Sequence, residues 1–229
     1  MKKSKKSLLL LLLAACLVAT TVFGTIAWLT ATDSVVNTFT VGKVNTPTTN
    51  PDGTPNPSLK GYIVEPNYEG NYELLPGGAY AKDPFVGIGK GSDESFVYVY
   101  IKSDFASDSK YNHVYFTINT DKWEPVANCT TAGSAEGSYT KGLFKYSGTL
   151  EPTAEADDWT DKALFESIVV ANEAGASELN AAFDSAAGRN GSITVYAYIH
   201  QAKDGNGHSL AETAHTDALA WKDSIISGN

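Results

Sequence analysis

Cysteine is scarce in this sequence: Cys16 and Cys129 are the only two among 229 residues. Cys16 lies in an apolar N-terminal stretch with the pattern of a removable leader, so the remaining chain would keep one thiol and could form no internal disulfide. A chain of about 200 residues buries enough apolar surface to fold without one. We interpret Cys129 as a small, half-buried apolar residue, because no neighbour that would activate a thiol is evident.

Basic residues are few beyond the first six positions. Four of the 17 Lys and Arg residues lie in residues 1–27, a segment that contains none of the 26 Asp and Glu residues. Because the net charge of −9 includes those four cations, residues 28–229 carry a formal charge of −13. Nucleic acid and anionic membrane surfaces need clustered Lys and Arg, so neither is expected as a partner. This charge is typical of a soluble extracellular protein.

Catalytic motifs are missing as well. The sequence has no His-Glu-x-x-His, no Gly-x-Ser-x-Gly and no phosphate-binding Gly-Lys-Ser/Thr loop. His208 and His215 stand near Asp204 and Asp217, which makes an incidental metal site conceivable, but we favour solvated surface residues. We therefore predict that the protein is not an enzyme and holds no cofactor and no metal ion.

What is present at the N-terminus is the pattern of a secretory signal. A basic start is followed by an apolar run over residues 8–18 and by small residues at 25–27, which predicts cleavage by a signal peptidase between Ala27 and Trp28. The product would be secreted, in an extracellular matrix or at the cell surface. The apolar stretch approaches the roughly 20 residues of a membrane span, so a retained anchor stays open. Membrane contact is expected only in that case or during export.

Lipidation is the alternative to cleavage. Leu13-Ala-Ala-Cys16 fits a bacterial lipobox, in which Cys16 would carry the lipid. Residues 17–29 remain apolar, whereas a lipoprotein usually leaves its cysteine on a polar tether. Cleavage after Ala27 is therefore the favoured interpretation.

Short β-type runs, separated by Gly, Pro and Asp, dominate the chain after residue 58. The best strand candidates are residues 59–65, 79–88, 95–102, 112–120, 139–149 and 192–201. In the third and the last of these runs an aliphatic row alternates with an aromatic one. Aliphatic rows that meet between two sheets predict a mainly β fold, a jelly-roll-like two-sheet sandwich.

Two or three short helices are expected beside the strands. Residues 160–170 begin with a threonine cap and an acidic first turn, and residues 177–187 are rich in alanine. The C-terminal stretch has the clearest start, because Ser209 and Glu212 have the spacing of a capping box ahead of an apolar stripe.

The chain divides into four predicted parts: the signal peptide 1–27, an N-terminal strand 28–44, a loop 45–58 and a β-sandwich domain 59–229. The loop contains four prolines and almost no apolar side chains, so it is expected to be flexible or extended. It separates the N-terminal strand from the rest of the domain.

Motifs on both sides of the predicted cleavage site resemble the TasA- and camelysin-type family, whose signal peptides depend on the peptidase SipW. They are Gly24-Thr-Ile-Ala-Trp-Leu-Thr-Ala-Thr-Asp33 and Asn37-Thr-Phe-Thr-Val-Gly42. Leu75-Pro-Gly-Gly78 with Lys82-Asp-Pro84, the strand 96–101, and residues 193–202 leading to Ala220-Trp221 are similar to clostridial members. The resemblance covers most of the chain except the long insertion at 45–58.

The resemblance implies a fibre subunit of a Gram-positive biofilm matrix, or a surface protein, that assembles head to tail with further copies by donor-strand exchange. Residues 28–41 are then the candidate donor strand, and residues 45–58 are the flexible linker between this strand and the domain. Other matrix or cell-wall components are expected as further partners. One face of the strand carries Val35, Asn37, Phe39 and Val41. Pairing of this strand within its own domain remains the alternative.

Two other functions stay open at this point. One is a monomeric surface module, lipidated at Cys16 or retained in the membrane, that binds carbohydrate or a partner through exposed Tyr and Trp side chains. The other is a camelysin-like metalloprotease, which is the least favoured because no metal-ligand set is evident.

Overall fold

The computed structural model describes residues 27–29, 40–59, 61–70, 72–105, 112–174 and 191–228. Within these residues the chain forms thirteen strands and one C-terminal helix. The strands are β1 Ala27–Leu29, β2 Thr40–Val41, β3 Ile63–Val64, β4 Tyr72–Leu74, β5 Ala79–Ala81, β6 Phe85–Ile88, β7 Ser95–Ser103, β8 Val114–Thr117, β9 Trp123–Ala132, β10 Ser138–Tyr146, β11 Asp158–Trp159, β12 Ser167–Val170 and β13 Ile193–Gln201. The helix, α1, spans Ala211–Ser227.

The strands form a two-sheet sandwich, so the predicted mainly β fold is confirmed. The large sheet has the order β2-β13-β7-β10-β8-β12-β5, with β9 also paired to β10. The small sheet has the order β11-β6-β3, and β1 pairs separately with β4. The pairing of β2 with β13 is parallel, while the other pairings described are antiparallel.

The aliphatic rows of β7 and β13 face the core, as the alternation predicts. These two strands pair over nine residues each, so their inward side chains form one continuous apolar surface. That surface consists of Val97, Val99, Ile101, Val195, Ala197 and Ile199. Burial of such side chains is the main favourable contribution to folding, at about 25 cal/mol per Å² of apolar area.

The aromatic rows on the opposite face of the same strands are covered by α1. Ala214, Ala218 and Trp221 are its buried residues, and their spacing places them on one side of the helix. Trp221 stacks on Tyr198 with ring centroids 5.3 Å apart, and Tyr98 lies 6.5 Å from Tyr198. The sheet is therefore buried on both faces here, by the second sheet on one side and by the helix on the other.

The predicted helix at residues 160–170 is wrong. Ser167–Val170 is instead a strand, β12, which pairs with β5 on one side and with β8 on the other. Thr160 does not cap a helix; its N–H donates to the carbonyl of Val86, and its Oγ1 accepts the N–H of Val86. A run of β-branched residues with two strand partners gains more as a strand than as a helix. Residues 177–187, the second predicted helix, lie outside the described residues.

The C-terminal helix is present but begins differently from the prediction. Leu210 occupies the N-cap position and no side chain caps the first turn, so the Ser209–Glu212 capping box does not form. Ser209 Oγ accepts only the N–H of Ala211, at 3.3 Å. At the other end, Gly228 has φ +72° and closes the helix in the left-handed conformation that glycine favours.

Residues 45–58 form a loop that is fastened to the domain. Asp157 Oδ2 accepts the N–H groups of Thr48 at 2.6 Å and Thr49 at 2.9 Å, and its Oδ1 accepts that of Lys90 at 2.9 Å. Burial raises the pKa of Asp157, but these hydrogen bonds outweigh that effect and hold the pKa below its usual value of 3.8. The loop is therefore not the free linker that its composition predicts, because the carboxylate of Asp157, distant in sequence, accepts hydrogen bonds from its backbone N–H groups.

Candidate functional site

The outer edge of β13 is the feature that the predicted donor strand should meet. On its inner side β13 pairs with β7 along its whole length, from Ile193 opposite Ser103 to Gln201 opposite Ser95. On its outer side the described chain supplies only β2, which pairs in parallel at two positions. Pairing on this outer side is thus established at Ile199 and His200. Unpaired strand edges are templates for pairing with another segment or another chain.

The end of the predicted donor strand lies at this edge in its own subunit. Thr40 pairs with Ile199, and Val41 pairs with His200. Val41 is thus the one predicted donor residue that the structure describes, and it lies beside β13. Val35, Asn37 and Phe39 fall outside the described residues. The structure accordingly shows pairing within the subunit at the last two positions of the strand.

Gly42 turns the chain away from β13 immediately after β2. Its φ is +103°, a conformation that residues with a side chain rarely adopt, and an added Cβ would lie 2.8 Å from Gln201 Cβ. Glycine is required here for two reasons, the backbone conformation and the close approach of Gln201. Gly42 is the last residue of the second motif on which the family resemblance rests. The backbone turn and the proximity of Gln201 explain why glycine occupies that position in this chain.

The chain is held to the domain directly after Gly42. Lys43 N–H donates to Asp93 Oδ2 at 3.0 Å, and Asp93 N–H donates back to the carbonyl of Lys43 at 2.9 Å. Asn45 N–H donates to Ser92 Oγ at 2.8 Å. These contacts join the N-terminal segment to the loop between β6 and β7. Any movement of β2 away from its edge must therefore hinge at or before Gly42.

His200 connects the β13 edge with α1. The side chain is 1% exposed, and its Nδ1 donates to the carbonyl of Gln201 at 2.7 Å. Its Nε2 lies 3.5 Å from Asp217 Oδ2 on the helix. His200 is also the pairing partner of Val41. This one buried residue of β13 therefore contacts both the N-terminal strand and the helix. The alternation of the last strand placed His200 in its aromatic row, and nothing local in the sequence indicated the contact with Asp217.

The predicted cleavage residues and the lipidation residue have different positions. Ala27 and Trp28 belong to β1, where Ala27 pairs with Leu74 and Trp28 with Glu73. Cys16 lies outside the described residues. Across the described part of the chain, no helix is long and apolar enough to cross a membrane.

The residues considered for metal binding are dispersed. His208 Nδ1 lies 3.1 Å from Asp204 Oδ2 in the turn before α1, while Asp217 faces His200 instead. His215 is exposed on the helix near the ring of Tyr98. Among the described residues, no group of three or more His, Cys, Asp and Glu side chains is placed to hold a metal ion.

Cys129 is half-buried beneath α1. Lys222 Nζ, which also pairs with Asp223, lies 3.7 Å from its sulfur. The cysteine packs against the apolar cluster under the helix, which agrees with a mainly packing role. The lysine neighbour comes from the helix, 93 residues further along the chain, so no local pattern indicated it.

Comparison of the chain with protein-family models, with curated proteins and with solved structures finds no match in any of the three.

Proposed function

We propose that this protein is exported and assembles into extracellular fibres by exchanging its N-terminal strand between copies, as a structural component of a biofilm-type matrix or cell surface. The observation that carries the proposal is the outer edge of β13. It is nine residues long, and the end of the N-terminal strand lies parallel to it at Ile199 and His200. A strand from a second copy would add backbone hydrogen bonds along this edge, and side-chain contacts would give the register.

The geometry favours an exchange of the strand-swapping type. In each subunit the N-terminal strand already ends beside the β13 edge. The donor strand would therefore pair with β13 of a neighbouring copy in the same way as it pairs with β13 of its own subunit. Gly42 is the point at which the strand could swing outward, because the chain is fixed again at Lys43. An interface of this kind is head-to-tail and does not close, so it extends into a filament. The resemblance to TasA- and camelysin-type proteins supports the same function.

Processing of the signal has to precede folding in this proposal. A peptidase acts on an extended, accessible segment, whereas the bond between Ala27 and Trp28 lies within β1, paired with β4. Cleavage of the unfolded chain at the membrane would leave Trp28 as the first residue of the donor strand. Lipidation at Cys16 would instead keep the strand attached to the membrane and restrict its exchange.

The decisive experiment compares two chains, one that begins at Trp28 and one that begins at Gly42. The second lacks the donor strand but retains the contacts of Lys43 and Asn45 and the loop held by Asp157. We expect fibres and rising light scattering only from the first, with both chains folded by circular dichroism. Equal polymerisation of the two chains would rule out strand exchange.

A competing peptide gives a matched control. A synthetic peptide of residues 28–41, added in excess, should occupy the β13 edge and stop growth of the longer chain. A scrambled peptide of the same composition should have no effect, and a peptide with Phe39→Asp and Val41→Asp should be a weak competitor. Inhibition by the scrambled peptide to the same extent would contradict recognition of a specific strand.

A further inference from the structure

A cleft lies on the molecule away from the β13 edge. Its volume is about 1040 Å³, and it is lined by the loop 50–59, by residues 61–68 and by parts of β6 and of the segment before β12. Sites for small ligands typically measure roughly 300–1,000 Å³, so the space suits a ligand of several rings or a short chain.

One wall of the cleft is fixed by buried charged groups. Lys82 Nζ lies 2.8 Å from each carboxylate oxygen of Glu65, and the two side chains are only 6% and 9% exposed. Asp83 accepts hydrogen bonds from the backbone N–H of Asn67 at 2.9 Å and from its Nδ2 at 2.8 Å. Lys82 also lies over the ring of Tyr68, 4.8 Å from the centroid. The Lys82-Asp-Pro84 motif therefore holds the 65–68 turn in place.

The opposite wall is the loop that carries Asn50 and Asn56. Asn56 Nδ2 donates to Asn50 Oδ1 at 2.8 Å, and Asn50 Nδ2 donates to Thr54 Oγ1 at 2.9 Å. Asp52 Oδ1 accepts the hydroxyl of Thr54 at 2.6 Å and its N–H at 2.9 Å, and these hydrogen bonds lower the pKa of this carboxyl. Polar groups on both walls are thus held by the protein before any ligand arrives, which reduces the entropy lost on binding.

The charge of the cleft selects against acidic ligands. Its lining contains the four carboxylates of Asp52, Glu65, Asp83 and Glu166, of which Glu65 is paired with Lys82, and none of the described residues that line it is Lys, Arg or His. Glu166 is exposed and makes no side-chain hydrogen bond or ion pair with the described residues. The carboxylates are not grouped closely enough to hold a metal ion. Phosphate and uronate groups would be repelled, while hydroxyl and ammonium groups would find acceptors.

Two aromatic side chains complete the lining. Tyr68 and Phe85 are each half-buried, so part of each ring remains accessible to a ligand. Aromatic faces combined with amide and carboxylate groups provide both an apolar surface for the C–H face of a sugar ring and partners for its hydroxyls.

We infer that the cleft binds an oligosaccharide chain without acidic groups, built from neutral or amino sugars. This binding uses a surface separate from the β13 edge and does not depend on strand exchange. A fibre built from such subunits would carry one polysaccharide site per copy along its length.

The test is calorimetric titration of the purified full chain with three hexasaccharides: neutral cellohexaose, amine-bearing hexaglucosamine and acidic hexagalacturonate. We expect binding of at least one of the first two and none of the third. A hexalysine peptide is the fourth probe. Binding of hexagalacturonate, failure of both non-acidic sugars, or binding of hexalysine alone would each overturn the proposal.

Charge-matched variants locate the site. Glu166→Lys should weaken binding of the sugar at least about tenfold, which corresponds to about 1.4 kcal/mol. Glu136→Lys makes the same charge change at an exposed position outside the cleft lining and should leave the affinity within about twofold. Tyr68→Phe keeps the ring and should retain binding. Equal effects of the two lysine variants would place the sugar elsewhere and contradict the assignment.

Discussion

At the scale of single residues, Gly42 determines how firmly the N-terminal strand is attached. Its φ of +103° and the proximity of Gln201 both exclude a side chain while β2 lies on its own subunit. Gly42→Ala should therefore weaken this attachment by about 1–3 kcal/mol, through the strained conformation and the contact with Gln201. Faster hydrogen exchange of the backbone amides of β13 near Ile199 and His200 would show it.

The same substitution, which weakens the attachment of the strand to its own subunit, should accelerate assembly. The exchanged strand would meet Gln201 of a neighbouring copy again but would not need the turn at residue 42, so Gly42→Ala raises the free energy of the attached state more than that of the exchanged state and should shorten the lag before fibres form. Gly53→Ala is a suitable control, because Gly53 has φ +81° but an added Cβ would meet nothing within 4 Å. Identical lag times for the Gly42 and Gly53 variants would contradict a hinge at Gly42.

At the scale of secondary-structure elements, the helix over the aromatic rows makes the fold sensitive to alkali. Burial raises the pKa of Tyr98 and of Tyr198 to about 12, with smaller contributions from Glu124 and Asp217 respectively. The folded state therefore binds protons that the unfolded state, with a phenol pKa near 10, releases. The stabilisation is complete below about pH 10 and is lost as the pH rises from 10 towards 12.

A double variant, Tyr98→Phe with Tyr198→Phe, should remove a large part of this sensitivity, and Tyr100, Tyr146 and Tyr196, whose pKa burial also raises, account for the rest. The measurement is the urea midpoint at pH 8 and at pH 11, followed by tryptophan fluorescence. The wild-type chain should lose stability between the two pH values, and the double variant should lose clearly less. Tyr115→Phe, on β8 and away from the helix, is the matched control. An equal loss in the double variant would show that these phenols do not govern alkaline unfolding.

The elements that local patterns determine could be predicted from the sequence. The alternation in β7 and β13 predicted both strands and their inward rows, and the C-terminal helix was also predicted. β9 was missed, because Pro125 interrupts its pattern; the strand tolerates this residue opposite Phe144 near an irregular register. β12 was assigned to a helix, because its two partner strands are distant in sequence.

The candidate site was predictable only in part for the same reason. The composition near Val41 predicts a strand, but nothing local shows which sheet edge it joins. The fastening of residues 43–49 depends on Ser92, Asp93 and Asp157, which lie between 47 and 109 residues further along the chain. These hydrogen bonds between distant residues depend on the folded topology. Composition alone predicted a flexible linker without contacts to the domain.

At the scale of the whole molecule, the fastening after Gly42 restricts the geometry of the proposed fibre. The donor strand of residues 28–41 can reach about 45 Å when fully extended, at roughly 3.3 Å per residue. Because the following loop is held by Asp157, it adds no length to this reach. Neighbouring subunits should therefore pack directly against one another. The fibre should be stiff, without flexible linkers between its subunits.

Close packing of like-charged subunits makes assembly dependent on ionic strength. Residues 28–229 carry a formal charge of −13, so neighbouring copies repel one another at low salt. The Debye length falls from about 30 Å at 0.01 M salt to about 8 Å at 0.15 M, which is shorter than the dimensions of a subunit. We expect the chain that begins at Trp28 to polymerise several-fold faster at 0.15 M than at 0.01 M sodium chloride, measured by light scattering. Sucrose at equal osmolality should give no such acceleration. Assembly that is equally fast at both salt concentrations would contradict repulsion between neighbouring subunits.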